Sequence, residues 1–448
     1  MGQRTKMLAQ ILGFQGWVPS DSWFEKPDGK RMEPIDGFDM PQGVRFVMRI
    51  RRRWAGRCGA CGAICRRRHS RCAPRRWADE SWAGRPVELQ YAPERLRCER
   101  CDSTGQEQVP WADAYQRQTK RLQQRLALEA ASMPVHHVAA LHGLSWATVK
   151  RAEHEALARW DGTRTPPRLR HVGVDEKYLG RRGKHPYRYV TIVSNNETGE
   201  PLWMGYGRSQ ETLAGWLKTL SPETKAGIEL FVTDMHRAFE NAIRADPELA
   251  HAELVHDVFH VVKRAGEAMD ELRREIFFRA GPELRAVGRG KRWLVLKRWE
   301  KCSTEQQANL KQLLRLNGTL ARFYQVVEEL REALHAPTRE DMKDAIAHIL
   351  VRTEKRRFKA VRSFHESLKR HAPNLYALAD HRPATGRVEA LNNNWETLVR
   401  RGRGYRDLPY MLLKLRFACA HPVRTLRGVE RFLSLGLPPP ISRFQEAA

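Results

Sequence analysis

Apolar residues recur every three or four positions in RLQQRLALEAAS, MPVHHVAALHG and LSWATVKRAEHEALARW, and this period predicts three amphipathic helices in succession. After the linker DGTRTPPRLR the rhythm changes. RHVGVDEKYLG, PYRYVTIVSN and EPLWMGYGRS predict three β-strands joined by short turns at RRGKH and NETG. QETLAGWLKTL then reads as a helix, ELFVTD as a fourth strand, MHRAFENAIRAD as a helix and AELVHDV as a fifth strand, ahead of a helix from FHVVKRAGEAMDELRRE. From about Phe277 to Leu378 the pattern is helical and basic, interrupted at GRGKR and HAPTRE. Ahead of the helical triplet, RRWADESW and GRPVELQYAPERLRC predict turns and short strands.

The last two helices of the triplet meet at Gly143, and Ser145 is a good N-cap for a helix whose first turns carry Trp146, Thr148 and Lys150. A short helix, a glycine turn and a capped helix make a helix-turn-helix, whose second helix enters the DNA major groove through Ser145, Trp146, Thr148 and Lys150. A three-helix structural bundle has the same periodicity. The pair His136 and His137 reads as surface or packing rather than as metal ligands.

In the strand region, three antiparallel strands followed by strands alternating with helices describe a ribonuclease-H-like mixed sheet. The first and fourth strands are neighbours in that arrangement, so Asp175 and Asp234, which end RHVGVD and ELFVTD, meet there. Glu389 lies in RVEALNNNW at the start of a helix, with Asn392 and Asn393 three and four residues later on the same face. Two strand-end carboxylates and one helical carboxylate suit a pair of divalent cations set against a phosphodiester. Asp257 and Glu176 are nearby acids that read as a helix N-cap or a solvent-facing charge. His260 is an auxiliary candidate with no partner evident from its spacing.

Charge narrows the partner. Lysine and arginine number 79 against 52 acids, a formal charge of +27 spread along 448 residues, which favours nucleic acid over a membrane surface. A chain of this length predicts roughly two to four domains. No apolar run approaches the ~20 residues of a membrane span, and the N-terminus lacks a signal-like apolar region, so a cytoplasmic protein with reduced thiols is expected. Cys58 and Cys61 form one CxxC pair and Cys98 and Cys101 another, 36 residues apart, which predicts a four-thiolate zinc site on a zinc ribbon. Cys65, Cys72 and His69 are close enough in sequence to substitute as ligands. Val44 to Cys101 holds 16 arginines, no lysine and five acids. That bias suits contacts to phosphates and base edges.

Taken together, the paired CxxC knuckles, the helix-turn-helix, VGVDE, FVTD, VHDVFHVVKRAGEA and GRVEALNNNWETLVRRGRGYRDLPYMLLKLRF resemble the DDE transposases of the bacterial insertion-sequence L-three class over nearly the whole chain. Val258 stands where that family usually has a basic or polar residue. The resemblance implies a catalytic triad of Asp175, Asp234 and Glu389 holding magnesium or manganese, with His260 and Asn392 as auxiliary residues. It further implies binding of terminal inverted repeats and target DNA as a homodimer or higher oligomer. The expected fold class is multidomain α/β: an N-terminal segment (1–43), a zinc-binding domain (44–112), a helix-turn-helix domain (113–162), a ribonuclease-H-like core in two parts (168–276 and 379–448) and a helical insertion (277–378). A structure-specific nuclease would need the acids but has less use for both DNA-binding modules. A transposase-derived regulator would need the modules and not the acids.

Overall fold

The computed structural model describes residues 3–32, 41–82, 84–165, 168–179, 188–279, 281–282, 285–286, 289–354, 357–402 and 405–437. The turn expected at RRGKH lies outside them. The chain divides into two compact units: residues 1–165 with 398–403 and 420–448, and residues 166–397 with 404–419.

The first unit opens with α1 (Gln3–Leu12), β1 (Trp17–Glu25) and β2 (Arg45–Arg52). Short strands β3 (Gly56–Arg57), β4 (Ile64–Cys65) and β5 (Arg68–Arg71) follow, then β6 (Arg75–Trp82), β7 (Arg85–Tyr91), β8 (Glu94–Arg97) and β9 (Thr104–Gln106). The expected boundary at residue 43 is absent, because β1 and β2 join β7 and β6 in one sheet of order β1-β2-β7-β6. RRWADESW and GRPVELQY therefore belong to this sheet rather than to a ribbon. The ribbon is smaller, with β3 paired to β4 and β5-β8-β9 as a three-stranded sheet. Trp111 is fully buried at the centre of the unit's aromatic core, edge-on to Trp17, Trp77 and Tyr91. Truncating a side chain of this kind to alanine costs about 3–5 kcal/mol. Buried Glu107 links the large sheet to the ribbon by accepting from the Tyr91 hydroxyl at 2.7 Å and from the Glu94 amide at 2.7 Å, with Arg52 as its counter-charge.

Three helices complete this part: α2 (Lys120–Ala130), α3 (Val135–His142) and α4 (Trp146–Gly162). Their apolar stripes meet in a core of Leu122, Leu126, Val138, Ala139, Val149 and Ala152. His136 and His137 are exposed and pack edge-on against each other.

The second unit contains β10 (His171–Tyr178), β11 (Tyr189–Asn195), β12 (Glu200–Tyr206), α5 (Gln210–Leu217), α6 (Pro222–Ala226), β13 (Leu230–Thr233), α7 (Arg237–Arg244), β14 (Glu253–His256) and α8 (Val258–Arg279). The sheet order is β12-β11-β10-β13-β14, antiparallel across β12, β11 and β10 and parallel across β10, β13 and β14. Strand alternation sorts the side chains. Val172, Val174 and Phe231 pack on α5 and α7, whereas Leu230, Val232 and Val255 pack on α8. Gly173 is required by close approach, since a Cβ there would stand 2.7 Å from the Ser194 hydroxyl.

After α8 come α9 (Arg292–Leu296), α10 (Thr304–Arg315), α11 (Gly318–Ala333), α12 (Arg339–Glu354), α13 (Lys359–His371), α14 (Pro373–Tyr376) and α15 (Leu378–His381). No strand occurs among the described residues of 277–378. This segment shares one continuous core with Leu230, Val232 and Val255, so it is packed into the sheet unit rather than held off it. A buried polar clasp joins it to the strands: His371 Nδ1 lies 3.0 Å from His256 Nε2, and Asn374, held by Arg244 at 2.9 Å, lies 3.2 Å from the same nitrogen. The last helices are α16 (Thr385–Gly402), α17 (Leu408–Ala420) and α18 (Leu426–Leu433). Residues from Ala420 onward group with the first unit, where 379–448 as a whole had been expected in the core.

Candidate active site and candidate metal centre

The parallel register decides which acids meet. Val174 pairs with Thr233 and Thr233 with His256, so one residue further along Asp175, still within β10, comes level with Asp234 and Asp257, which directly follow β13 and β14. By alternation all three point to the face of Leu230, Val232 and Val255. Burial, then the charges of Glu176 and Asp175, raise the Asp234 carboxyl from 3.8 to about 7. Asp175 is held on one oxygen by Lys177 Nζ at 2.7 Å and on the other by the Glu176 amide at 2.7 Å, with His260 Nε2 at 4.0 Å.

Asp257 caps α8, accepting from the Phe259 amide at 2.9 Å, and its burial, followed by the charge of Asp175, raises its carboxyl. Glu176 is not the solvent-facing charge or N-cap expected of it. It is largely buried, paired with Arg208 at 2.8 Å, and one of its oxygens has no hydrogen-bond partner among the described residues. Sequence reading also missed Lys177, although a lysine two residues after a strand aspartate shares its face by alternation.

Glu389 is exposed in the first turns of α16 and makes no hydrogen bond or ion pair among the described residues. Two residues earlier Arg387 donates to the Thr198 carbonyl at 3.2 Å, which seats the start of this helix on the β11–β12 turn. Asn392 is half-buried, with its side-chain oxygen unpartnered among the described residues. Among those residues, only two groups of histidine, cysteine and acid bring three or more ligand atoms within 4.8 Å of one another, and the two aspartates with Glu389 are not one of them.

One of the two groups is Cys58, Cys61, Cys98 and Cys101; the other is Glu240, His256 and His371, part of the polar clasp. In the cysteine cluster, Cys58 and Cys101 sulfurs stand 3.7 Å apart and those of Cys61 and Cys98 3.5 Å. A tetrahedral ion with ~2.3 Å bonds to sulfur sets its ligands ~3.8 Å apart, so the four residues fit such an ion. Both knuckles turn alike. The residue after each second cysteine is left-handed, Gly62 at φ 70° and Asp102 at φ 49°, which glycine and aspartate tolerate best. The turn amides of Cys61 and Ala60, with the Ser103 hydroxyl, bring the Cys58 thiol down to about 6, a set of donors aimed at a thiolate. Cys65 is buried against Cys58, Leu96 and Cys98 and is raised to about 11, chiefly by burial, while His69 is exposed and bonded to Ser70. Neither belongs to the four-sulfur cluster, nor does Cys72.

At the helix-turn-helix, Gly143 closes α3 in the left-handed conformation at φ 61°. The Ser145 hydroxyl accepts from the Thr148 amide at 3.1 Å and caps α4. Trp146 is exposed, with Lys150 Nζ 5.8 Å from its ring, and Thr148 and Lys150 are partly exposed. The arginines of 44–101 are less available than their number suggested. Arg45, Arg52, Arg67, Arg68, Arg71 and Arg76 all pair with glutamates.

Comparison with known proteins agrees with this layout. The family described as "Transposase" matches residues 172–415, and "Helix-turn-helix domain of transposase family ISL3" matches residues 107–157. The chain is 31% identical over 366 residues to the transposase for insertion sequence element IS1001 of Bordetella parapertussis, covering 81% of this chain and 88% of the relative. It is 26% identical over 413 residues to the transposase for insertion sequence element IS1557 of Mycobacterium tuberculosis, covering 84% and 89%.

Proposed function

Because the chain belongs to the ISL3 family of insertion-sequence transposases, we propose that it binds the terminal inverted repeats of its element through α4 and carries out cleavage and strand transfer at Asp175, Asp234 and Glu389. The observation that supports this most is the meeting of Asp175, within β10, and Asp234, just past β13, where burial and then the charges of Glu176 and Asp175 lift Asp234 to about 7. Oxygen donors of this kind fit magnesium or manganese. Such ions, once bound, supply Lewis acidity toward a phosphodiester. The strand order β12-β11-β10-β13-β14 is that of a ribonuclease-H-like core, and we read residues 168–276 and 379–419 as that core, with 277–378 as its helical insertion.

The side chains have separate tasks in this reading. Asp175 and Asp234 give fixed oxygens on rigid strands, and α16 brings Glu389 as the third acid. Lys177 holds Asp175 in place and offsets its charge until DNA and cation arrive. His260, 4.0 Å from Asp175, is set to hydrogen-bond a phosphate oxygen, and Asn392 serves as a donor beside Glu389. Attack of water at the element end breaks the P–O3′ bond and leaves a 3′-hydroxyl and a 5′-phosphate; that hydroxyl then attacks a target phosphorus in the same site, forming a new P–O bond as the target strand's own 3′-oxygen leaves and takes up the proton. Cys58, Cys61, Cys98 and Cys101 would hold structural zinc, which would keep the ribbon folded. A strand-transfer assay on the element's own ends tests the proposal. Asp175→Asn and Asp234→Asn should each abolish product while retaining end binding, and full activity in both would overturn it.

A further inference from the structure

The C-terminal helix α18 returns to the first unit, seated by buried Phe432 and by the Leu435 carbonyl, which accepts from Gln124 of α2 at 3.1 Å. Between α18 and the end of α4 lies a groove of about 810 Å³, whose lining includes Trp160, Arg164, Thr425, Arg427, Arg431 and Phe432. No acidic residue lines it. Arg427 and Arg431 stand one turn apart on α18, both exposed, and neither guanidinium has a partner among the described residues. Arg164 adds a third positive charge, stacked on Trp160 at 4.7 Å and paired with Asp161 at 3.3 Å. Gly428 makes the approach tight, since a Cβ there would fall 2.1 Å from the Pro422 carbonyl oxygen.

We infer that this groove is a second DNA-binding surface, which grips the phosphate backbone flanking the base pairs read by α4. The inference rests on the reading of α4 as the DNA-reading helix. Two exposed arginines without an ion-pair partner among the described residues, in a groove with no acid in its lining, match a polyanion, and planar guanidiniums on a wall with threonine hydroxyls suit phosphate oxygens. Position supports the same partner. The groove begins at Trp160, 14 residues along α4 from Trp146, or ~21 Å at 1.5 Å per residue, too far to touch the same base pairs. It therefore contributes affinity without sequence preference.

The test uses the full-length chain and two duplexes of about 40 base pairs, one carrying the element's end and one of random sequence, roughly four helical turns each. Arg427→Gln with Arg431→Gln should weaken both duplexes alike and flatten the dependence of log affinity on log salt by about 1.8, since each lost phosphate contact removes ~0.9. Raising salt from about 50 to about 200 mM would then cost the variant roughly tenfold less affinity than the parent. Arg427→Lys with Arg431→Lys should restore the slope. Unfolding midpoints matching the parent's keep the comparison sound, as both side chains are exposed. An unchanged slope in the glutamine variant overturns the inference, as does a change in the protein's self-association with no change in DNA binding. A parent that shows no preference for the element's end would sink the reading of α4, while the slope on random duplex would still decide the groove.

Discussion

The two candidate metal centres are built over very different lengths of chain. In the cysteine cluster each tight turn contributes two sulfurs, local amides bring the Cys58 thiol down, and all four sulfurs already lie within 4.8 Å of one another. In the acidic site Asp175, Asp234 and Glu389 come from two strands and a distant helix, and they do not close on a common point. Burial and like charge oppose closure of the acidic site: burial first, then the charges of Glu176 and Asp175, raise the Asp234 carboxyl, and Lys177 already occupies one oxygen of Asp175. A site built for stability forms with the fold, whereas one built for chemistry waits for its ligands.

The largest expected effect falls on the third acid. Glu389→Gln should abolish strand transfer at saturating magnesium while sparing end binding, and Glu396→Gln should leave at least half the activity. Strand-transfer yield on the element's ends measures both. Retained activity in the Glu389 variant with loss in the Glu396 variant would move the third ligand two turns along α16.

Next in size is Cys98→Ser. Metal analysis should find about one zinc per chain in the parent and close to none in the variant. Limited proteolysis should then cut between residues 52 and 107 while the sheet unit stays protected. Full zinc in the variant would mean that Cys65, packed beside Cys98, replaces the lost ligand.

A pH series sharpens the acidic half. With Asp234 raised to about 7, between about pH 4 and about pH 7 the folded chain holds a proton that the unfolded chain releases. Stability of the cation-free protein therefore falls as pH rises through that window and levels off above it. Asp234→Asn should flatten this decline in thermal midpoints recorded with chelator. A decline of equal steepness in the variant would show that the carboxyl is solvated.

The smallest effect belongs to α4. Thr148→Ala or Lys150→Ala should weaken binding to the element's end by about fivefold, or ~1 kcal/mol, more than binding to random duplex. Equal losses on both duplexes would make these side chains phosphate contacts.

Legibility followed the same division between local and distant chemistry. The knuckles, the Gly143 turn, the Ser145 cap and all five strands of the second unit were visible because each is specified by neighbours in sequence. Pairing of β2 with β7 was not. It joins Phe46 to Val87 in parallel, and nothing in either strand names its partner. The fate of 44–101 was hidden for a similar reason: five acids looked too few to occupy 16 arginines, yet Glu94 alone is shared by Arg52, Arg68 and Arg71. Glu176 was misjudged because alternation gives the face of a side chain but not the depth of its surroundings.

The return of residues 420–437 to the first unit gives the molecule a timetable. During synthesis the helix-turn-helix leaves the ribosome about 250 residues before α18, a delay of roughly 10–50 s at bacterial and eukaryotic elongation rates. For that interval α4 is folded but its groove has only one wall. On the proposed reading of α4 and the groove, a nascent chain would read a nearby repeat weakly without clamping it, and firm attachment to DNA would begin only when the sheet unit, made in between, has already emerged.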